Sequence, residues 1–161
     1  MCYLDSGMGP SLAPITMKIS SRFGPVDVSA DDMFDFPNGL WGWEQCRRWI
    51  LLADQQSDAL AWLQSVERPG IALPVTSPRR FVPGYQIRVA RRELASLELD
   101  DASAAKILVI VGRTARGLSL NLKAPVILNL QRRVGVQVAT NGELPVRYEL
   151  GTQTKTVRKI A

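Results

Sequence analysis

The chain has 161 residues, the size of one ordinary domain, because a single hydrophobic core grows to about 100 to 200 residues before chains divide. With 46% hydrophobic and 22% charged residues it is too apolar for disorder, and charge interrupts every stretch long enough to cross a membrane as a helix. Histidine is absent, which removes the commonest general base and zinc ligand, and two cysteines supply neither a disulfide scaffold nor a four-ligand metal site.

These counts exclude most hydrolase and metalloenzyme mechanisms, so no catalytic, cofactor-binding or metal residue is assigned and the expectation is a non-enzyme. Reduced thiols fit the cytoplasm. Net charge is +5, of which Lys155, Arg158 and Lys159 supply three, leaving a mildly basic body.

Residues 1–16 are rich in Gly, Pro and Ser. They read as a disordered leader, or as an over-long start ahead of Met17, and lack the basic flank of a signal peptide. The expected domain is 17–150, followed by a basic tail, 151–161. Short apolar runs bounded by Gly, Pro, Asn and Asp predict strands at 16–20, 26–28, 33–36, 49–53, 61–66, 71–75, 86–89, 106–112, 118–122, 126–130, 134–140 and 146–150. A short helix is predicted at 91–97, where Leu94 and Leu97 share a face, and a helical turn at 77–81. Asn141-Gly142 predicts a tight hairpin between 136–140 and the strand around Val146. Pro145 cannot donate to a ladder, which places that last strand after it or at an edge. The fold class is mainly β: a single antiparallel β-barrel-like or sandwich domain with one or two short helices.

Few residues suggest chemistry. Adjacent residues on a strand face opposite sides, so Asp31-Asp32 and Asp100-Asp101 read as turn and cap residues. Without histidine a serine nucleophile needs lysine, and no Ser-x-x-Lys spacing occurs. Four arginine doublets, at 47–48, 79–80, 91–92 and 132–133, include two beside Trp49 and Phe81. On a β-barrel, arginines with stacking aromatics suit single-stranded RNA, which is the alternative reading. Trp41, Trp43, Trp49 and Trp62 could form a recognition cluster, but Trp49 and Trp62 are expected in the core. Pro69, Pro78 and Pro83 make 64–85 a rigid, shaped region. Gln64, Ser65, Glu67, Asn121 and Gln137 are polar residues among apolar ones, and are the expected partner-binding residues.

The order of four segments resembles the flagellar assembly factor FliW family. Phe36-Pro37-Asn38-Gly39-Leu40-Trp41-Gly42-Trp43-Glu44 is similar to its Phe-x-x-Gly-Leu-x-Gly-Phe-Glu turn. Trp62-Leu63-Gln64-Ser65 with Pro69, then Ser77-Pro78, Phe81, Pro83 and Tyr85, resembles its central stretch and proline-bounded loop. Asn121-Leu122-Lys123-Ala124-Pro125 with Asn129 resembles its Asn-Leu-x-Ala-Pro signature, and Gly135-Val136-Gln137-Val138 the strand after it. The resemblance implies a monomeric β-barrel-like protein that binds flagellin and the RNA-binding translational repressor CsrA. Flagellin would occupy it and release CsrA. Pro74 stands at a usual Phe, and Ser77 and Gly84 at usual acids, which lowers the loop's attraction for a basic partner.

Overall fold

The computed structural model describes residues 15–151. The leader and the tail expected at the two ends therefore lie almost wholly outside the described residues, although Thr16 already belongs to the first strand. Eleven strands follow in chain order: β1 (Thr16–Ser21), β2 (Gly24–Ser29), β3 (Met33–Asp35), β4 (Arg48–Ala53), β5 (Ala61–Ser65), β6 (Ala72–Thr76), β7 (Ala105–Thr114), β8 (Gly117–Leu120), β9 (Val126–Asn129), β10 (Val134–Gln137) and β11 (Tyr148–Glu149). Single 3₁₀ segments at Ala30–Asp32, Pro78–Arg80, Arg91–Leu97 and Ala102–Ala104 are the helical elements among the described residues. The class is mainly β, as the alternation of short apolar runs and turn residues indicates.

Seven strands close into a barrel in the order β7-β6-β5-β4-β3-β10-β9 and back to β7. Every pairing in the ring is antiparallel except one, the parallel bridge of Asp35 to Val134 that joins β3 to β10. Strand β7 can serve three neighbours because it is long. Its first half pairs with β9, Val109 and Ile110 pair with β6, and its last residues pair with β8, which carries β11 outside the ring. Because β6 meets β7 only at Val75 and Thr76, Pro74 has no β7 partner for an N–H it lacks. Strands β1 and β2 form a separate hairpin with no ladder to the barrel.

The barrel interior holds Phe34, Phe36, Leu40, Trp49, Leu63, Val75, Leu108, Val126 and Leu128. Side chains alternate across each strand, so β7 and β9 are covered on both faces. Val109 and Val111 face outward under Tyr85 and Leu122. Ile127 faces outward under Leu97 of the 91–97 segment. That segment sits where a helix was predicted but winds as 3₁₀, and Glu98 ends it in the left-handed conformation.

Three expectations are corrected. Residues 86–89 form no strand. Arg88 has bonds only to Thr140 and Asn141, and a strand needs a ladder. The Asn141-Gly142 hairpin does not form either: after β10 the chain runs beside 123–125, with Val138 bonded to Pro125 and Thr140 to Lys123. Lys123 Nζ then donates to the carbonyls of Thr140 and Gly142, and the last strand pairs with β8 at the sheet edge. Finally, Trp62 is only half-buried. Its ring meets Phe23 of the β1–β2 hairpin edge-on at 5.1 Å, whereas Trp49 is fully buried.

Candidate functional site

The 36–47 turn, the 121–125 turn, the end of β10 and the β5–β6 loop meet at one end of the barrel. The 77–85 loop leaves β6 at the opposite end, and Asn129 lies at the far end of β9. Beyond β3 the chain turns through Phe36–Arg47 before entering β4. The amide of Phe36 donates to the carbonyl of Arg47 and closes this excursion. Two glycines shape it. Gly39 has φ +65°, and a Cβ there would lie 2.6 Å from Glu44 Cα, so no other residue fits; Gly42 has φ +89°. Leu40 is driven into the core and bridges Trp43, while Trp41 is left outside. The amide of Gly42 donates to Glu44 Oε1 at 3.0 Å and holds that carboxyl below its usual range.

Gln137 fastens this turn to its neighbour. Its Oε1 accepts from the Trp41 amide at 2.9 Å, and its Nε2 donates to the carbonyl of Ala124 at 3.2 Å. Asn121 Oδ1 in turn accepts from the Ala124 amide at 3.1 Å, making the Asn-Leu-x-Ala turn. Asn129, the second asparagine of that signature, donates to the carbonyl of Leu97 at 2.8 Å and accepts from the amides of Gln131 and Arg132. It ties the 91–97 segment to the β9–β10 turn.

The β5–β6 loop completes this end. Gln64 is fully buried: its Nε2 donates to the carbonyls of Ser65, Pro69 and Ile71, and its Oε1 accepts from the amide of Arg22 at 3.0 Å. Ser65 is equally buried and its hydroxyl accepts from the Arg68 amide. Glu67 Oε1 accepts from the amides of Arg47 and Arg48 at 3.2 and 3.1 Å, pinning the loop to the start of β4.

Of the five residues expected to contact a partner, Gln64, Ser65 and Gln137 therefore have internal duties, and their polar atoms are turned inward. The reason is one that spacing cannot show. An irregular loop leaves main-chain groups that only a buried amide or hydroxyl can satisfy. Asn121 is half-buried and shapes its own turn. Glu67 alone is exposed, and even its carboxylate serves the backbone. The exposed residues at this end include Trp41, Glu44, Gln45, Arg47, Arg48 and Arg68, of which the sequence offered Trp41 as a possible recognition aromatic and the Arg47-Arg48 doublet for RNA. The bulk of Trp41 between two turn glycines was the available signal.

The arginine doublets do not converge. Arg47 holds the carbonyls of Pro37 and Glu44, Arg79 that of Tyr85, and Arg48, Arg80 and Arg132 pair with Glu67, Asp58 and Glu98. Arg133 lies over the ring of Phe34 at 4.9 Å. The aspartate pairs are caps, as expected: Asp32 accepts from the Ser29 amide, and Asp101 from that of Ser103, whose bonds hold the Asp101 carboxyl below its usual range.

Comparison with known proteins agrees with this geometry. The family model described as FliW protein matches residues 18–150, nearly all of the described chain. The chain belongs to the FliW family. The flagellar assembly factor FliW of Natranaerobius thermophilus is 36% identical over 126 residues, covering 76% of this chain and 83% of that protein. The FliW of Bdellovibrio bacteriovorus is 34% identical over 83% of this chain and 78% of its own length. A crystal structure of the flagellar assembly factor FliW superposes with a TM-score of 0.78 at 25% identity, covering 86% of this chain and 99% of that one. The barrel described above is thus the FliW fold. No helix among the described residues is long and apolar enough to cross a membrane.

Proposed function

We propose that this FliW-family chain is a non-catalytic cytoplasmic monomer that binds flagellin and CsrA in turn, coupling the flagellin level to its translation. Free protein would hold CsrA and relieve repression; accumulating flagellin would take its place and release CsrA. The supporting observation is the family match over 18–150, together with a barrel end that Gln137 and Glu67 hold rigid and that leaves Trp41 exposed. A scaffold of this kind needs no cofactor or metal. The switch requires only two mutually exclusive complexes. A coupling of about 1 to 3 kcal/mol changes affinity roughly 5- to 150-fold.

Calorimetric titration with CsrA, repeated after saturation with flagellin, tests the reading. CsrA binding that flagellin abolishes is expected. Binding to flagellin alone would reduce the role to that of a chaperone. Binding to neither partner, with salt-sensitive binding to single-stranded RNA, would replace it.

A further inference from the structure

Trp41 occupies an open position of the Gly-Leu-x-Gly turn, yet it is the feature that this end of the barrel displays. Its side chain is 51% exposed. The backbone beneath it is held from every side. Its own amide is bonded to Gln137, the Trp43 amide to the carbonyl of Leu40, the Gly39 amide to that of Phe36, and the Gly42 amide to Glu44. The Arg47 guanidinium clasps the carbonyls of Pro37 and Glu44 across the base of the turn. Exposed Phe23 differs, because its ring is already occupied by Trp62. A large indole on backbone that loses nothing by being ordered has the anatomy of a binding anchor.

Around it three exposed arginines, Arg47, Arg48 and Arg68, outnumber two exposed acids, Glu44 and Glu67. Glu44 is turned onto the Gly42 amide, and Glu67 onto the amides of Arg47 and Arg48, so both acids serve the fold. Arg48 uses only its Nε, 3.8 Å from Glu67, and Arg68 uses only one terminal nitrogen, bonded to Gln45. Both guanidinium groups keep donors directed at solvent, in the fork that carboxylates accept.

We propose that this barrel end is the docking surface for an acidic protein segment, which lays an apolar side chain on the Trp41 indole and presents carboxylates to Arg48 and Arg68. The assignment rests on the protein-binding reading above and names the surface that carries it. The probes are flagellin and CsrA, each titrated calorimetrically into the wild type, Trp41→Ala, Trp41→Phe and Arg68→Glu, with melting temperatures alongside.

For the partner that docks here, Trp41→Ala loses at least about tenfold in affinity, with a melting temperature within about 2 °C of wild type. Arg68→Glu loses at least about threefold and weakens the salt dependence. If Trp41→Ala melts markedly lower, Trp41→Phe decides: a wild-type melt with reduced affinity supports the anchor, and full affinity overturns it. Unchanged affinity of Trp41→Ala for both partners overturns the docking surface while leaving the proposed function intact. Loss in Trp41→Ala without loss in Arg68→Glu overturns the acidic chemistry. A wild type that binds neither probe overturns the proposed function and this assignment together.

Discussion

Gly135 shows how tightly single residues are fitted. Lying in β10, it leaves room for the fully buried Phe36, and a Cβ there would come within 2.3 Å of that ring. The ring is enclosed by the barrel and cannot swing away, so Gly135→Ala should cost about 1 to 3 kcal/mol, read as a lower denaturation midpoint in urea. Tyr85 makes a pH-dependent contribution. Its buried hydroxyl donates to the carbonyl of Leu122 at 2.7 Å, and burial pushes its pKa up to about 12 from 10.0. The folded state thus favours the neutral phenol. Its contribution is complete below pH 10.0 and falls away as the pH rises toward 12. Tyr85→Phe should melt lower at neutral pH and lose less stability than wild type between those values. Glu67→Lys should lower the melting temperature, because two backbone amides lose their acceptor at about 1 kcal/mol each. Such duties were illegible in the sequence. Gln64, Ser65 and Gln137 stood out as polar residues in apolar runs, but whether a side chain faces a partner or its own backbone depends on the path of loops far away in the chain.

Among the elements, the β1–β2 hairpin is held differently from the rest. With no ladder to the barrel, it rests on buried Val28, the Phe23–Trp62 contact and the bond from the Arg22 amide to Gln64. Trp62 is itself fixed by its Nε1, which donates to Asp54 Oδ1 at 3.0 Å and holds that carboxyl below its usual range. Gln64→Leu removes both the hairpin's anchor and the bonds to Pro69 and Ile71. Amide hydrogen exchange should therefore accelerate at Arg22 and across 65–71, and stay near wild type in β9 and β10. Unchanged exchange at Arg22 would show that the aromatic contact suffices. Strands were the legible part of the fold, since alternating or continuous apolar runs bounded by turn residues mark them locally. The failures at 86–89 and at Asn141-Gly142 share a cause. Val138 and Thr140 bond to Pro125 and Lys123, and Arg88 bonds to Thr140 and Asn141, so contacts between distant loops pre-empt the pairing that local pattern suggests.

For the whole molecule, the sequence order of four weak motifs carried more than any residue, because each motif turns out to be a bracket for the next. The converse is that the contact surface was not legible: brackets are buried, and what they display can vary. Charge predicts the behaviour of that surface in solution. With three arginines against two acids at this end, affinity for an acidic partner should fall as salt rises from about 50 to 500 mM, by roughly tenfold when a few ion pairs steer a complex. A flat response would place the docking energy in apolar contact alone.

The one parallel bridge in the ring also bears on how the protein is made. Asp35 and Val134 stand near opposite ends of the described chain, and their pairing is the step that turns an open sheet into a barrel. Until β10 has left the ribosome, β3 has no neighbour on that side, and Phe36 and Leu40 have no β10 wall to pack against. Such long-range closure is slow and leaves strand edges bare. A nascent chain that stalls between β9 and β10 should therefore be a substrate for chaperones rather than a partially working binder.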